Sequence, residues 1–227
     1  MRLSELYTSI QGEGLRVGTP VQFVRFAGCN LRCPGWPCDS QFAIDPKLYR
    51  KDWLDRTPSE LMGETKPWPK SLCLTGGEPF IQHAADLEEY CRMALAKGYF
   101  IEVFTNGTIP YPDWALKNLS FIMDWKLPGS GEDPANEMRH WNLERLNHKD
   151  AVKFVCRDYD DYRLAKEYAE IYIDPIVPIR RPVVYFGAVF GVLPEKQLAT
   201  WMMRDELPYL LNVQVHNYVF GATTRRT

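Results

Sequence analysis

Short apolar stretches rich in β-branched residues recur along the chain, and each has the length of a β-strand. They cover residues 21–27, 71–75, 99–104, 119–124, 151–155, 171–177 and 211–219. The spacing of amphipathic helices appears between several of them, at residues 81–97, 161–170 and 194–205. Pro194 suits the first turn of the last helix. Strands that alternate with helices predict a parallel sheet.

The number of these units decides between a full and an incomplete barrel. The pattern contains about six strand–helix units, and 227 residues are few for a full eight-stranded barrel. We therefore predict an α/β fold, an incomplete TIM-like barrel of parallel strands and helices. With 45% hydrophobic residues, the chain can bury one full core, so we expect a single domain over residues 1–227.

Polar segments follow three of the predicted strands directly. They are Thr-Gly-Gly-Glu-Pro at 75–79, Thr-Asn-Gly-Thr at 105–108 and Asp-Trp-Lys at 124–126. In a barrel of this kind the functional residues lie at the carboxyl ends of the strands. The three segments therefore predict one shared site.

Composition and charge exclude several classes of partner. The net charge is −2 at pH 7, which leaves no excess of positive charge to bind a nucleic acid. Arg2 and Glu5 interrupt any apolar run near the start, and no uncharged stretch is long enough to span a membrane. We expect a cytoplasmic protein that has neither a signal peptide nor a membrane contact.

The main candidate for metal binding is a run of three cysteines, Cys29, Cys33 and Cys38, which follows the first predicted strand. Structural zinc sites and simple iron–sulfur clusters use four protein ligands, so three thiolates leave one position open for a substrate or cofactor. The alternative is a zinc loop completed by a distant histidine, but no histidine has finger-like spacing from the cysteines. The other cysteines lie in apolar patterns and are expected in the core: Cys73, Cys91 and Cys156.

Five motifs together resemble the 7-carboxy-7-deazaguanine synthase family of radical S-adenosylmethionine enzymes. Two of them, the cysteine loop and the Gly-Gly-Glu-Pro segment, are shared by the whole radical superfamily, whereas the Gln-Gly-Glu-Gly opening points to this one family. The resemblance extends from about residue 4 to the region 214–216. The five motifs lie at residues 9–14, 26–33, 38–40, 75–79 and 126–131.

The resemblance implies a radical S-adenosylmethionine domain with a [4Fe-4S] cluster on the three cysteines. The open iron chelates S-adenosylmethionine, and reductive cleavage yields a 5′-deoxyadenosyl radical. In the family this radical abstracts hydrogen from 6-carboxy-5,6,7,8-tetrahydropterin, which rearranges to 7-carboxy-7-deazaguanine with loss of ammonia. The resemblance also implies Mg²⁺, an external electron donor such as a flavodoxin or ferredoxin, and a homodimer.

The resemblance also assigns roles to individual residues. Ser40 would bind Mg²⁺ through its hydroxyl group, although a serine here also suits a cap or turn. The residues expected to bind S-adenosylmethionine are Trp36 or Pro37, Asp39, Gly76, Gly77, Glu78, Asn106, Thr108, Asp124, Trp125 and Lys126. The residues expected to bind the pterin are Ile10, Gln11, Gly12, Glu13, Arg25, Thr75 and Gln214. No role is assigned to His216.

Two of these assignments also rest on the residues themselves. Arg25 interrupts an apolar strand, where an unpaired charge is costly, so it requires an anion: the substrate carboxylate or an internal Asp or Glu. Gly76 and Gly77 allow close backbone approach to a ligand, and Glu78 could accept a hydrogen bond from its amino group. The same segment also suits an ordinary strand-to-helix turn.

The chain departs from the family pattern at two places. The gap between Cys33 and Cys38 holds four residues where the family has two, so either Trp36 or Pro37 is left to contact the adenine. Asp124 and Trp125 stand where the family carries Ser-Pro before a lysine, which puts any serine hydroxyl contact there in doubt.

Two other functions remain as alternatives. One is a glycyl-radical activase of the same superfamily, which shares the cysteine loop but lacks the Gln-Gly-Glu-Gly opening and gives Arg25 no purpose. The other is a zinc-stabilised binding module without catalysis.

Anaerobic reconstitution with iron and sulfide tests the metal assignment. We expect a brown protein with about four irons per chain, because three thiolates with an open corner suit a [4Fe-4S] cluster. A colourless protein that carries one zinc would support the binding module and exclude both enzymes.

Overall fold

The computed structural model describes residues 1–36, 38–133 and 137–221. Within these residues nine strands form one sheet in the order β3-β1-β2-β4-β5-β6-β7-β8-β9. The strands are β1 (Arg2–Ile10), β2 (Pro20–Phe26), β3 (Leu54–Asp55), β4 (Ser71–Gly76), β5 (Phe100–Thr105), β6 (Ser120–Trp125), β7 (Ala151–Cys156), β8 (Val183–Ala188) and β9 (Leu210–Asn212).

The sheet is parallel from β2 through β9, and β1 runs antiparallel to both of its neighbours. The edge strands β3 and β9 do not pair with each other, so the sheet stays open. This confirms the predicted α/β fold with an incomplete barrel.

The helices among the described residues are α1 (Gln41–Ile44), α2 (Pro46–Tyr49), α3 (Pro58–Glu64), α4 (Ala84–Ala96), α5 (Asp113–Asn118), α6 (Glu137–Leu143), α7 (Tyr159–Tyr168), α8 (Glu195–Arg204) and α9 (Val215–Val219).

Side chains on the central strands alternate between the core and a cavity. In β4, Leu72 and Leu74 lie in the main hydrophobic core, whereas Cys73 and Thr75 line the cavity on the other face. In β7, Val152 and Phe154 lie in the core and Lys153 lines the cavity. The two-residue period of a strand produces this division, which places polar residues of neighbouring strands side by side.

The predicted helices and core cysteines are confirmed, with shifted helix ends. Helix α4 begins at Ala84, after a 3-10 turn over Pro79–Ile81. Asp158 caps α7 by accepting a hydrogen bond from the Asp161 amide at 3.0 Å. Pro194 is the N-cap residue of α8 and precedes its first turn. The three scattered cysteines are buried as predicted, Cys91 and Cys156 in the main core and Cys73 in a smaller cluster.

Two strand predictions are wrong. Residues 171–177 form the end of a π-helical turn, Ala169–Ile173, and the loop after it, and the next strand is β8 instead. Pro175 lacks the N–H group that a central strand needs, and Ile171 and Val177 are exposed. Of residues 211–219, the first two end the short strand β9 and Val215–Val219 form α9. The pattern also missed three strands, β1, the two-residue β3 and β8. No described helix is long and apolar enough to cross a membrane.

Glycine allows two loops to touch at the end of the sheet. The Gly77 amide donates to the Phe26 carbonyl at 2.9 Å, and the Glu78 amide donates to the Gly28 carbonyl at 2.8 Å. A Cβ atom on Gly77 would lie 1.6 Å from the Gly28 carbonyl oxygen. This contact holds the segment after β4 against the start of the cysteine loop.

Gly77→Ala should therefore destabilise the protein by about 1–3 kcal/mol, because the obstacle is backbone that cannot move aside. The measurement is urea unfolding followed by circular dichroism. Gly63→Ala is the control, since a Cβ atom there meets nothing within 4 Å. An alanine near the end of α3 should leave stability unchanged or raise it by up to about 1 kcal/mol. Equal stability of the Gly77→Ala variant and the wild type would contradict the close contact.

Candidate active site

A cavity of about 610 Å³ opens at the carboxyl ends of the parallel strands. All three cysteines of the loop line it, together with most of the predicted site residues. Those on the cavity wall are Ile10, Gln11, Gly12, Glu13, Arg25, Trp36, Asp39, Ser40, Thr75, Gly76, Gly77, Asn106, Asp124, Lys126 and Gln214. Glu78, Thr108 and Trp125 do not line the cavity, and Pro37 lies outside the described residues.

The cysteine loop is held by backbone hydrogen bonds to a carboxylate. Glu132 Oε1 accepts from the amides of Arg32 and Cys33, both at 2.7 Å. Cys33 has a φ of 43°, in the left-handed region that residues with a side chain seldom adopt. The two hydrogen bonds stabilise this unfavourable backbone conformation and so set the direction of the Cys33 side chain.

The longer gap between Cys33 and Cys38 packs against the loop after β6. The Gly35 amide donates to the Ser130 carbonyl at 2.8 Å, and a Cβ atom on Gly35 would lie 1.9 Å from the Gly129 carbonyl oxygen. Gly131 has a φ of 76° and lies against Pro34. The longer gap is therefore packed in a defined position against the loop after β6. Trp36 lies on the cavity wall, and Lys126 Nζ is 5.6 Å from the centre of its ring.

The donor set fits a cluster with one open corner. No group of three His, Cys, Asp or Glu side chains among the described residues is arranged to hold a single metal ion. A [4Fe-4S] cluster makes a different demand, because each thiolate binds a separate iron. Burial raises the pKa of both Cys33 and Cys38 to about 11, so these groups are thiols until a metal binds and displaces their protons.

Glu78 has a different environment from the one expected. Its side chain is fully buried, and its carboxylate accepts from the Phe80 amide at 3.1 Å, Thr105 Oγ1 at 2.9 Å and the Asn106 amide at 2.7 Å. Burial raises its pKa to about 7. The carboxylate thus holds the end of β5 and does not line the cavity that the other predicted residues share.

Thr108 supports the site from behind. Its hydroxyl group donates to Asn106 Oδ1 at 2.6 Å and accepts from Asn30 Nδ2 at 2.7 Å. Asn106 itself lines the cavity, where Nδ2 lies 3.9 Å from Cys29 Sγ. The expected ribose contact of Thr108 therefore has no geometric support, whereas Asn106 is well placed.

The strand period separates the residues of the Asp-Trp-Lys segment. Asp124 and Lys126 line the cavity and pair at 2.9 Å. Trp125 points to the other face, is fully buried in the core and contacts His140 edge to face. The Trp125 side chain therefore packs in the core and does not line the cavity.

Arg25 has an internal acid as its partner and also lines the cavity. Its Nε lies 3.5 Å from the carboxylate of Glu5, whose side chain is 1% exposed, and Nε and Nη2 donate to the Tyr7 hydroxyl at 3.1 and 3.0 Å. The guanidinium group also lies over the rings of Phe23 and Phe42 and lines the cavity. An internal acid therefore exists, and the same cation still faces the cavity.

The Gln-Gly-Glu-Gly segment near the start of the chain is anchored by two buried titratable residues of the sheet, Glu102 and Lys153. Gln11 Nε2 donates to Glu102 Oε2 at 3.0 Å, and Glu13 Oε2 accepts from Lys153 Nζ at 2.8 Å. Burial raises the pKa of Glu102 to about 7. Burial also favours neutral Glu13, but the neighbouring Lys153 outweighs this effect and lowers its pKa. Glu13 is therefore an anion on the cavity wall.

The remaining predicted residues complete the wall. Ser40 is buried and its hydroxyl group donates to Asp39 Oδ1 at 2.9 Å. Gln214 precedes α9, and the Val215 amide donates to the Gly12 carbonyl at 3.1 Å. His216 lies directly over Gly12, where a Cβ atom would be 2.1 Å from His216 Nδ1. The short helix α9 thus brings the end of the described chain to its opening loop.

Comparison with known proteins shows the family. A family model described as a 4Fe-4S single cluster domain matches residues 10–109. A 7-carboxy-7-deazaguanine synthase of Methanospirillum hungatei is 32% identical over 96% of this chain and 85% of its own length. A second, from Koribacter versatilis, is 31% identical over 99% of both chains.

The chain belongs to the 7-carboxy-7-deazaguanine synthase family. This confirms the resemblance, the enzyme class and the predicted cofactors, a [4Fe-4S] cluster and S-adenosylmethionine. The fold agrees with the crystal structure of QueE from Escherichia coli at a TM-score of 0.72 and 19% identity, over 95% of this chain and 94% of that one. Neither the activase nor the zinc module gains support from these matches.

Four polar residues that line this site or support it from the sheet were not identified by the sequence analysis. They are Glu5, Tyr7, Glu102 and Lys153. Glu102 and Lys153 each interrupt an apolar strand, which is the signal that identified Arg25. The same test applied to every strand would have found both.

The contact of Glu132 with the cysteine loop predicts a specific defect in this family member. Glu132→Ala should lower the iron retained after reconstitution and speed its loss to a chelator, because the loop amides and the left-handed Cys33 lose their partner. Iron per chain is measured colorimetrically, with Glu144→Ala as the control outside the cavity. Retention equal to that of the wild type would show that Glu132 is not needed to shape the loop.

Proposed function

We propose that this protein converts 6-carboxy-5,6,7,8-tetrahydropterin to 7-carboxy-7-deazaguanine with loss of ammonia, in 7-deazaguanine biosynthesis. The observation that carries the proposal is a single cavity whose wall joins the cysteine loop to Arg25 and the Gln-Gly-Glu-Gly opening. When bound, the cluster and S-adenosylmethionine supply the radical chemistry. The protein binds the cofactors and the substrate, orients them relative to each other, and excludes competing reactions.

The cofactor subsite consists of the cavity residues nearest the cysteines in the chain and at the ends of β4 to β6. Gly76, Gly77 and Asn106 present backbone and amide groups to S-adenosylmethionine, and Trp36 offers an aromatic face to its adenine. Asp39 and the Asp124–Lys126 pair add charged groups. Glu78 and Thr108 are proposed to hold Asn106 in place through hydrogen bonds, and Trp125 to pack behind Asp124 and Lys126 in the core.

The pterin subsite consists of Arg25, Thr75, Gln214 and the opening Ile10 to Glu13. The pyrimidine edge of a pterin presents N–H donors, which suit an ionised carboxylate such as that of Glu13. Arg25 suits the substrate carboxylate, because Tyr7 engages one edge of its guanidinium group and the side chain still reaches the cavity. Glu5 balances part of its charge before the substrate binds.

Ser40 is the proposed protein ligand of Mg²⁺. Its buried hydroxyl group lies in the cavity beside the Asp39 carboxylate, and Mg²⁺ prefers such oxygen ligands. Mg²⁺ typically keeps several waters and takes few protein ligands, so the substrate carboxylate would complete the site.

We also propose a compartment, an electron donor and an assembly for this enzyme. Free thiols and a reduced cluster need a reducing compartment, so we place the enzyme in the cytoplasm. A flavodoxin or ferredoxin is the proposed electron donor, and a homodimer is the proposed assembly. The chain is proposed to act as one domain.

The proposal is tested with reconstituted protein, S-adenosylmethionine, a reductant, Mg²⁺ and the carboxytetrahydropterin under anaerobic conditions. We expect 7-carboxy-7-deazaguanine, detected by mass spectrometry, and a loss of activity when Mg²⁺ is chelated. No product from protein with an intact cluster would remove the proposed reaction.

Substitution of Arg25 separates the two subsites. Arg25→Lys keeps a counter-ion for Glu5 but loses the bidentate fork, so KM for the pterin should rise on the order of 10- to 100-fold. Reductive cleavage of S-adenosylmethionine without pterin should stay near the wild-type rate. Arg163→Lys, at an exposed position of α7 outside the cavity, is the control. If both activities fall together in a folded Arg25→Lys variant, the carboxylate clamp is wrong.

A further inference from the structure

Lys153 lies between two acids on the cavity wall. Its Nζ is 2.8 Å from Glu13 Oε2 and 3.6 Å from Asp124 Oδ2, and Asp124 Oδ2 is also 2.9 Å from Lys126 Nζ. The four side chains form a chain of alternating charge, Glu13–Lys153–Asp124–Lys126, which we call the charge chain. Each of these side chains is less than one-fifth exposed.

The fold dictates this arrangement. Asp124 of β6 and Lys153 of β7 are directly paired in the parallel register, so both side chains point to the same face of the sheet. A buried ammonium group is costly without partners. Burial disfavours charged Lys153, but Glu13 and Asp124 outweigh this effect and raise its pKa, so it is a cation at neutral pH.

Asp124 is not fully satisfied by the charge chain. Its Oδ1 atom is buried and has no hydrogen-bond partner among the described residues. A buried acceptor of this kind favours a ligand donor, such as a hydroxyl group. Asp124 therefore gives one oxygen to the two lysines and keeps a second that pairs with no described residue.

The two acids belong to different subsites of the proposed function, on which this inference rests. Glu13 belongs to the pterin subsite and Asp124 to the S-adenosylmethionine subsite. We infer that Lys153 is a positioning residue that holds Glu13 towards the pterin and Asp124 towards S-adenosylmethionine, and so links the two subsites.

This role has a distinctive consequence. A residue of one subsite should affect one ligand, whereas removal of the cation between the subsites should affect both. The loss of Lys153 removes the ammonium group that pairs with Glu13 and leaves Lys126 as the lysine paired with Asp124, so both carboxylates lose the geometry that the shared ammonium group imposes.

Equilibrium binding to reconstituted protein without reductant tests the inference, because no turnover occurs. The ligands are S-adenosylmethionine and the carboxytetrahydropterin, measured separately by anaerobic calorimetry. Lys153→Met should raise Kd for both on the order of tenfold or more. Glu13→Gln should weaken the pterin alone, Asp124→Asn should weaken S-adenosylmethionine alone, and Lys153→Arg should restore most of both affinities.

Lys166→Met is the matched control, since Lys166 pairs with Asp205 at 3.1 Å outside the cavity. It should change neither Kd. If Lys153→Met binds both ligands within about twofold of the wild type, or weakens only one of them, the linking role is overturned.

Urea unfolding of the cluster-free protein provides a second readout that needs no ligand. In a double-mutant cycle of Glu13→Gln and Lys153→Met, the double variant should lose less stability than the sum of the single variants, because the first change already removes the ion pair. Additive losses would overturn the charge chain. The cycle also separates the two proposals: coupled residues in a protein that does not bind the pterin would reject the proposed substrate and still support the charge chain.

Discussion

A charged side chain buried in a parallel sheet requires a partner of opposite charge, and the wall of this cavity is built from such pairs. Arg25 is balanced by Glu5, and Lys153 is balanced by Glu13 and Asp124. The cost of an unpaired buried charge makes each position dependent on another element, because β2 needs β1 and β7 needs both β6 and the opening loop. The charges that prepare the cavity for polar ligands thus also join its walls.

Close backbone contacts at glycine give the cluster loop its shape. Gly77 meets Gly28 before the first cysteine, and Gly35 meets the Gly129–Gly131 turn between the second and third. The longer gap before Cys38 therefore does not leave a loose loop, since its additional residues pack on the turn after β6. The longer spacing between Cys33 and Cys38 is thus accommodated by the turn over Gly129–Gly131, which packs against it.

Much of the site could be predicted from residue type and order, and the exceptions have local causes. Glu78 and Thr108 lie in the loops after β4 and β5, Trp125 is the last residue of β6, and none of the three lines the cavity. Successive side chains of a strand point to opposite faces, so Trp125 lies in the core while Asp124 and Lys126 line the cavity. The hydrogen bonds of Glu78 and Thr108 depend on the shape of their loops, which the strand period does not determine. The segment at 171–177 failed for another reason, because a short apolar run suits a helical turn as well as a strand.

The sequence by itself determined the class of chemistry: three cysteines with an open position, a glycine-rich segment after a strand and an arginine where only a paired charge is tolerated. These are properties of residue types in local order. Only the tertiary structure decided which acid meets which base, that Glu78 supports β5, and that Lys153 stands between Glu13 and Asp124. Those contacts join residues more than a hundred positions apart or on neighbouring strands, and the strand register that creates them is set by packing of the whole sheet.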